Sequence, residues 1–336
     1  MINNWDNTKL EPVLITYNRC ADLKRTLDAF IKADLTNIKL HVLDNASTDQ
    51  TMSTVMRAQK IWPNLIYHRN TYNIGGNANI LRAAEITSSE YSWVIGDDDA
   101  WHLEDISELC AILREGQADV IRLGWLVSSA SRGKGEYLEN LAKNESLLFS
   151  SMSMISATII RKSLIIPHLP YAYMGAGDAY PQLVPMLRAS TSIPLIVYTL
   201  KHDLVTHMPS AAPGYFSGDL EWASSWVRTS RFIECPLIRK FFVSEVMIYL
   251  SRNNPGKINE FLKLVKIAFI YKSLRVNQWP YLFSMMAYGT GWRLRIGALM
   301  MIYAIFPMDI ATLSRKIYMH INGKNDKGLN ADRTRI

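Results

Sequence analysis

Three consecutive carboxylates, Asp97-Asp98-Asp99, follow Gly96 at the end of a short apolar run, Tyr91-Ser92-Trp93-Val94-Ile95. Adjacent like charges repel, and a divalent cation is a simple device for keeping them ionised together. If strand alternation continues through them, Asp97 and Asp99 share one side and Asp98 takes the other. The first pair could then hold Mg²⁺ or Mn²⁺, with phosphate oxygens completing the shell. A solvated acidic turn capping a helix near His102 is the competing reading. Polar clusters of similar character stand upstream at Thr16-Tyr17-Asn18-Arg19, Asp44 to Asp49 and Asn70 to Gly76.

Each cluster needs an element to aim it. Val13 to Tyr17 is a β-rich run, and the residues after Asp22 place Leu23, Leu27, Phe30 and Ile31 at helical spacing. The unit repeats: strand Lys39 to Leu43, polar loop Asp44 to Asp49, helix Gln50 to Gln59; then strand Asn64 to His68, loop Asn70 to Gly76, helix Ala78 to Ile86. Strand–helix alternation with short loops predicts a parallel, Rossmann-like α/β sheet flanked by helices. Ligands in such sheets bind beyond the carboxyl ends of the strands, where all four polar clusters fall. Further on, the pattern predicts a helix to about Glu115, a strand over Asp119 to Val127 and a mobile loop over Ser128 to Lys143. A strand over Ser156 to Ile160, a Gly-rich loop Tyr171 to Asp178, a helix Ala179 to Ala189 and a strand Thr191 to Leu200 come next. The pattern turns helical from about Asp219.

In this order the segments resemble the GT-A glycosyltransferases of family 2, bacterial enzymes that use nucleotide sugars. Leu14-Ile15-Thr16-Tyr17-Asn18-Arg19 is similar to the opening PTYNR-like motif, with Ile15 in place of the usual Pro. Asp44, Asn45, Ser47, Asp49 and Thr51 match a DNxSxDxT loop, Asn73-Ile74-Gly75 an NxG segment, and the aspartates after Gly96 the DxD strand end. The resemblance covers about residues 10 to 210. It implies that Thr16, Tyr17, Asn18 and Arg19 wall a nucleotide pocket, that Asp44 contacts base or ribose, and that Asn45, Asn73 and Gly75 close that side. Asp97 and Asp99 are implied to hold the metal and the sugar-ribose edge. Gly96 stands where the first acidic residue is usual, so which two of Asp97, Asp98 and Asp99 form the pair stays open. An inverting transfer also needs a base, and the matching loop, Met174 to Tyr180, offers Asp178 with Gly177 in place of the usual Glu. An N-cap on the next helix is a role that Asp178 could fill as well. Tyr171, Tyr173 and Tyr180 around it could stack on sugars or simply pack. His202 and His207, after the last strand, are further candidates for the diphosphate or metal, and Arg132 with Lys134 for a phosphate lid.

Charge divides the chain. Residues 1–227 hold 19 basic and 24 acidic side chains, net −5, and residues 228–336 hold 18 and 6, net +12. Arg293, Arg295, Lys263, Lys266, Lys272 and Arg275 punctuate apolar stretches carrying Trp279, Tyr281, Trp292 and Tyr303. This suits interfacial helices on anionic lipid, although at 100° per residue the basic positions spread around a helix, as in a plain capping bundle. The expected organisation is a catalytic domain at 1–218 (donor half about 10–105, acceptor half about 106–218), a helical, membrane-associating region at 219–321 and a polar tail at 322–336. Cys20, Cys110 and Cys235 form no CxxC pair, so no disulfide framework or structural zinc is expected. With neither an apolar leader nor a full membrane span, the expected location is the cytoplasmic face of the inner membrane.

The function implied is metal-dependent, inverting transfer of a sugar from a nucleotide-diphosphate donor to a saccharide acceptor, lipid-linked, in O-antigen, lipopolysaccharide or capsule assembly. A sugar nucleotidyltransferase is the alternative enzyme, but it should carry a Gly-rich loop with Arg and Lys after the first strand, which TYNRCADLK lacks. A silent saccharide- or membrane-binding module is the non-enzymatic alternative, against which the aspartates argue. No nucleic-acid reader motif accompanies the basic tail.

Overall fold

A computed structural model describes residues 5–208, 225–226 and 228–253. Eight strands form one sheet in the order β3-β2-β1-β4-β8-β6-β9-β7. They are β1 Leu10–Thr16, β2 Leu40–Asp44, β3 Leu65–Arg69, β4 Tyr91–Ile95, β6 Val120–Arg122, β7 Lys134–Tyr137, β8 Thr158–Arg161 and β9 Ile196–Thr199. β5 Ala100–Trp101 pairs separately with β10 Val205–Thr206. β1 to β4 are mutually parallel and carry the strand–helix repeats, through α1 Cys20–Lys32, α2 Thr51–Gln59 and α3 Gly76–Ala83. The chain leaves β1 toward β2 and β3 and returns to β4 on β1's other side. The carboxyl ends of β1 and β4 therefore flank a topological switch point, a place where open α/β sheets bind ligands.

The second half is mixed. β8 runs antiparallel to both β4 and β6, and β7 antiparallel to β9. The segment 128–143, read as a mobile loop, instead contains edge strand β7 and most of α5 Leu138–Asn144. Arg132 is pinned to Asp203 at 2.5 Å, so its guanidinium ties this segment to the loop after β9. Further helices are α4 Ser107–Glu115, α6 Leu148–Ser153, α7 Lys162–Ile165, α8 Leu169–Met174, α9 Leu183–Ala189 and α10 Pro236–Asn253.

Two apolar cores fill the two sides. Leu10, Leu14, Leu23, Phe30, Trp62, Trp93 and Ile95 lie under the parallel half, where Phe30 stacks near Trp62 at 6.1 Å and meets Trp101 edge-on at 5.5 Å. Leu148, Phe149, Leu183, Leu187, Trp226, Ile238 and Phe242 form the other. Fully burying a side chain of this size contributes roughly 1.5–3 kcal/mol, so Trp226, Phe232, Ile233, Ile238, Phe242 and Val243 are an integral part of this second core. The expected boundary at 218/219 and the expected membrane-associating aromatics and basic residues from Lys263 onward lie outside the described residues. No helix among the described residues is long and apolar enough to cross a membrane.

Candidate active site

Asp97 stands just past the end of β4, opposite Thr16 at the end of β1. Thr16 Oγ1 donates to Asp97 Oδ2 at 2.7 Å, and Arg19 Nη1 reaches Asp97 Oδ1 at 3.3 Å and Asp98 Oδ2 at 2.5 Å. From α1, Thr26 donates to the Asp97 carbonyl at 2.9 Å. Strand pairing ends at Ile95, so the alternation expected for the aspartates does not extend through them. Both Asp97 oxygens are engaged by Thr16 and Arg19, while Asp98 and Asp99 curl back over Gly96. A Cβ at position 96 would meet Asp99 Oδ2 at 3.2 Å, Asp98 Oδ1 at 3.3 Å and Ser156 Oγ at 3.4 Å. This crowding explains why glycine occupies the place of a further acidic residue.

Burial pushes the Asp97 carboxyl up to about 6; Thr16 and Arg19 pull against it and Asp98 adds to the rise. Asp99 is raised too, by burial first, with Ser156 and His207 opposing and Asp98 assisting. In both groups burial outweighs the pull of the neighbouring donors and disfavours the anion. Among the described residues no three His, Cys, Asp or Glu side chains are grouped as a self-sufficient metal cage. The donor set nevertheless fits a hard cation that takes one or two carboxylates and completes its shell with phosphate oxygens. His207 Nδ1, 3.7 Å from Asp99 Oδ1 and edge-on to Trp125 at 6.2 Å, borders that place.

The other predicted donor residues divide into those that face outward and those that build the wall. Asn18, at φ +53°, accepts a main-chain bond from Thr48 at 2.7 Å and donates its own N–H to Ser47, which stitches the first loop to the second. Tyr17 is exposed beside it. Asp44 is fully buried: Oδ1 accepts from Ser47 N at 2.9 Å, and Oδ2 meets Tyr67 Oη at 2.6 Å and Arg69 Nε at 3.3 Å. Asn45 donates to Asn73 at 2.8 Å and accepts from Asn70 and from Ile74 N, so the two predicted asparagines shape the third loop together. Gly75, at φ +87° before α3, occupies a backbone state that disfavours any side chain.

Asp178 is buried in the loop before α9. Helix α9 begins at Leu183, with Gln182 as its N-cap residue, so the capping role considered for Asp178 is not realised. Asn77 Nδ2, in the first turn of α3 beyond Gly75, donates to the carbonyls of Ala176 and Asp178 at 2.9 and 2.8 Å. This loop is thereby tied to the donor rim. The Asp178 carboxylate itself meets Arg228 Nε through Oδ1 and Arg231 Nη2 through Oδ2, the latter at 3.1 Å. Sequence reading missed both arginines, because fifty residues separate them from Asp178 and SSWVRTSRF carries no motif.

The three tyrosines pack. Tyr171 lies under the Arg188 guanidinium, Tyr173 donates to Glu85, and Tyr180 meets Trp226 edge-on. His202 stands apart from the aspartates, in a cleft of about 230 Å³ with His102, Glu104 and Asp203. Ser156, which receives the Gly96 N–H at 2.8 Å, is a further site residue that carried no sequence signal beyond its place at a strand start.

A parallel half-sheet whose strand-end loops gather aspartates at the switch point, joined to a mixed second half, is the GT-A fold. Residues 13–168 match the family described as Glycosyl transferase family 2. Abequosyltransferase RfbV of Salmonella typhimurium is 34% identical over 109 residues, 31% of this chain and 32% of that protein. The GalNAc(5)-diNAcBac-PP-undecaprenol beta-1,3-glucosyltransferase of Campylobacter jejuni is 26% identical over 163 residues, 47% of this chain and 53% of that one. The chain therefore matches from about a third to about half of the length of these relatives. Among solved structures, the mannosyltransferase PcManGT from Pyrobaculum calidifontis, in complex with GDP-Man and Mn²⁺, shares the fold. Its TM-score is 0.52 at 14% identity, over 90% of this chain and 82% of that chain.

Proposed function

We propose that this protein transfers a sugar, with inversion, from a nucleoside-diphosphate donor to a saccharide acceptor in bacterial surface-polysaccharide assembly. The carrying observation is the trio of carboxylates at the switch point, two of them buried and raised in pKa, beside a loop that presents Thr16, Asn18 and Arg19. Asp99 and Asp97, with His207 beside Asp99, are the residues to hold Mn²⁺ or Mg²⁺; Asp98, ion-paired with Arg19, stands between them. Bound there, the cation supplies charge stabilisation to the departing nucleoside diphosphate.

The protein's own part is positioning and proton transfer. Tyr17, Asn18 and Arg19 line the base side of the donor, and Asp44 with Asn45 and Asn73 fixes the wall behind it. The acceptor oxygen attacks the anomeric carbon, the bond from that carbon to the phosphate oxygen breaks, and the acceptor's proton passes to Asp178. A lipid-linked acceptor is supported by the diphospho-undecaprenol in the Campylobacter relative's name and by the net charge of +12 beyond Val227, which suits an anionic membrane surface. The proposed location is accordingly the cytoplasmic face of the inner membrane. The test is a screen of nucleotide sugars by thermal shift with Mn²⁺, followed by turnover of the hit with lipid-linked acceptors. Metal-dependent stabilisation and transfer are expected; turnover that persists in chelator would remove the cation from the reaction.

A further inference from the structure

We propose that Arg228 and Arg231 are positioning residues that orient the Asp178 carboxylate, so that the segment leading into α10 completes the acceptor side of the site. This deepens the reading of Asp178 as the base and rests on it. Each arginine takes a different oxygen: Arg228 Nε meets Oδ1, and Arg231 Nη2 lies 3.1 Å from Oδ2. Two guanidiniums on two oxygens fix the carboxylate plane, which a single partner leaves free to rotate. A carboxylate offers about four lone-pair sites, so this grip leaves room on both oxygens for an acceptor hydroxyl.

The clamp is itself held by the residues around it. Thr229, between the arginines and buried, donates its hydroxyl to the Ala179 carbonyl at 2.5 Å. Trp226 meets Tyr180 edge-on at 5.3 Å, stacks on Phe242 at 4.4 Å and donates Nε1 to the Phe242 carbonyl at 2.8 Å. Trp226, Arg228, Thr229 and Arg231 thus all engage residues 178–180, on a base set by the second core. Asp178 is 8% exposed and Arg228 19%, so the first contact is mostly shielded from solvent, whereas Arg231 at 44% reaches in from the surface. The surface pair should matter less than the shielded one.

The experiment uses the full chain with its donor, Mn²⁺ and acceptor, and reads transfer kcat, donor KM, donor hydrolysis by water and melting temperature for Arg228→Gln, Arg231→Gln and Asp178→Asn, singly and combined. A misaligned base costs on the order of 100-fold in rate. Arg228→Gln is expected to lower transfer kcat by about that factor and Arg231→Gln by less, with donor KM within about twofold. Arg228→Lys should recover part of the loss, and it serves as the informative variant if Arg228→Gln does not fold. In the Asp178→Asn background neither arginine substitution should lower transfer further, since groups acting as a unit are non-additive. Unchanged transfer in both arginine variants, or an equal loss with and without the Asp178 carboxylate, would overturn the clamp. If Asp178→Asn alone retains transfer, the base assignment itself falls, which is a distinguishable result.

Discussion

The parallel and mixed halves of this molecule hold their carboxylates in different ways. Asp44 and Asp97 sit at or just past the ends of parallel strands and are gripped by residues from neighbouring strands and loops of the same half, such as Thr16, Ser47 and Tyr67. Asp178 sits in an irregular loop and is gripped by arginines that arrive from beyond the sheet altogether. In the first half the strand register sets the site. Helix packing sets it in the second, and that makes the surroundings of Asp178 dependent on the chain's last described helix.

Substitutions can break that contrast at several scales. The largest effects are expected at the carboxylates themselves, with different kinetic signatures. Asp99→Ala should lose metal-dependent turnover by about 10³-fold and weaken the donor as well. Asp178→Asn should lose roughly 10²–10⁴-fold in transfer while donor KM stays put. Steady-state kinetics across Mn²⁺ concentrations separates the two; a common KM effect would erase the division of labour.

Next come truncations. A chain ending at Asn253 keeps Phe232, Ile233, Ile238 and Phe242 in the second core and should melt cooperatively, whereas ending before Arg228 removes all four. Each loss of such a side chain costs about 2–5 kcal/mol, so the shorter chain should have an unfolded acceptor half by circular dichroism. Cosedimentation with phosphatidylglycerol vesicles should be lost in both, since the basic stretch from Lys263 onward is gone in each. Retained binding by the 253-residue chain would remove the membrane role from that stretch.

Smaller effects probe single contacts. Thr16→Val strands the buried Asp97 oxygen and should cost about 1–3 kcal/mol, read as a lower melting temperature that Mn²⁺ with donor partly restores. A stability effect absent in Thr16→Val would show that the β1–β4 bridge is incidental. Finally, Glu245 of α10 accepts the N–H groups of Phe149 and Ser150 at 2.7 Å each, joining α10 to the start of α6. Burial pushes its carboxyl up to about 8, against the pull of those donors and of Arg122. A group that holds its proton more tightly when folded loses stability as pH rises from its unfolded value, near 4.5, through about 8. The expected slope is at most about 1.4 kcal/mol per pH unit, and Glu245→Gln should flatten it in urea titrations between pH 5 and 8.5.

The strand–helix repeats of residues 10–95 were legible because each strand alternates or saturates its apolar positions and each loop breaks with Asn, Asp or Gly. Residues 128–143 were misread because their polarity belongs in part to the edge strand β7, which is largely exposed to solvent and looks like a loop in sequence. The helix assigned to 179–189 starts four residues late: Tyr180 takes a left-handed backbone at φ +53° and Pro181 follows, so the chain turns before it coils.

By itself the sequence determined which residue types gather beyond which strand ends, since strand order in a parallel sheet sends every such loop to one rim. It also determined that the charge is split, acidic over the sheet and basic beyond it. Only the tertiary structure decided which carboxylates pair. Asp97 turned toward Thr16 and Arg19, Asp98 and Asp99 folded over Gly96, and Asp178 came under Arg228 and Arg231. The reason is physical: local patterns fix the backbone period and direction, whereas the partner of a buried charge is whichever opposite group the packing of distant segments brings within a few ångströms, and no local pattern encodes that distance.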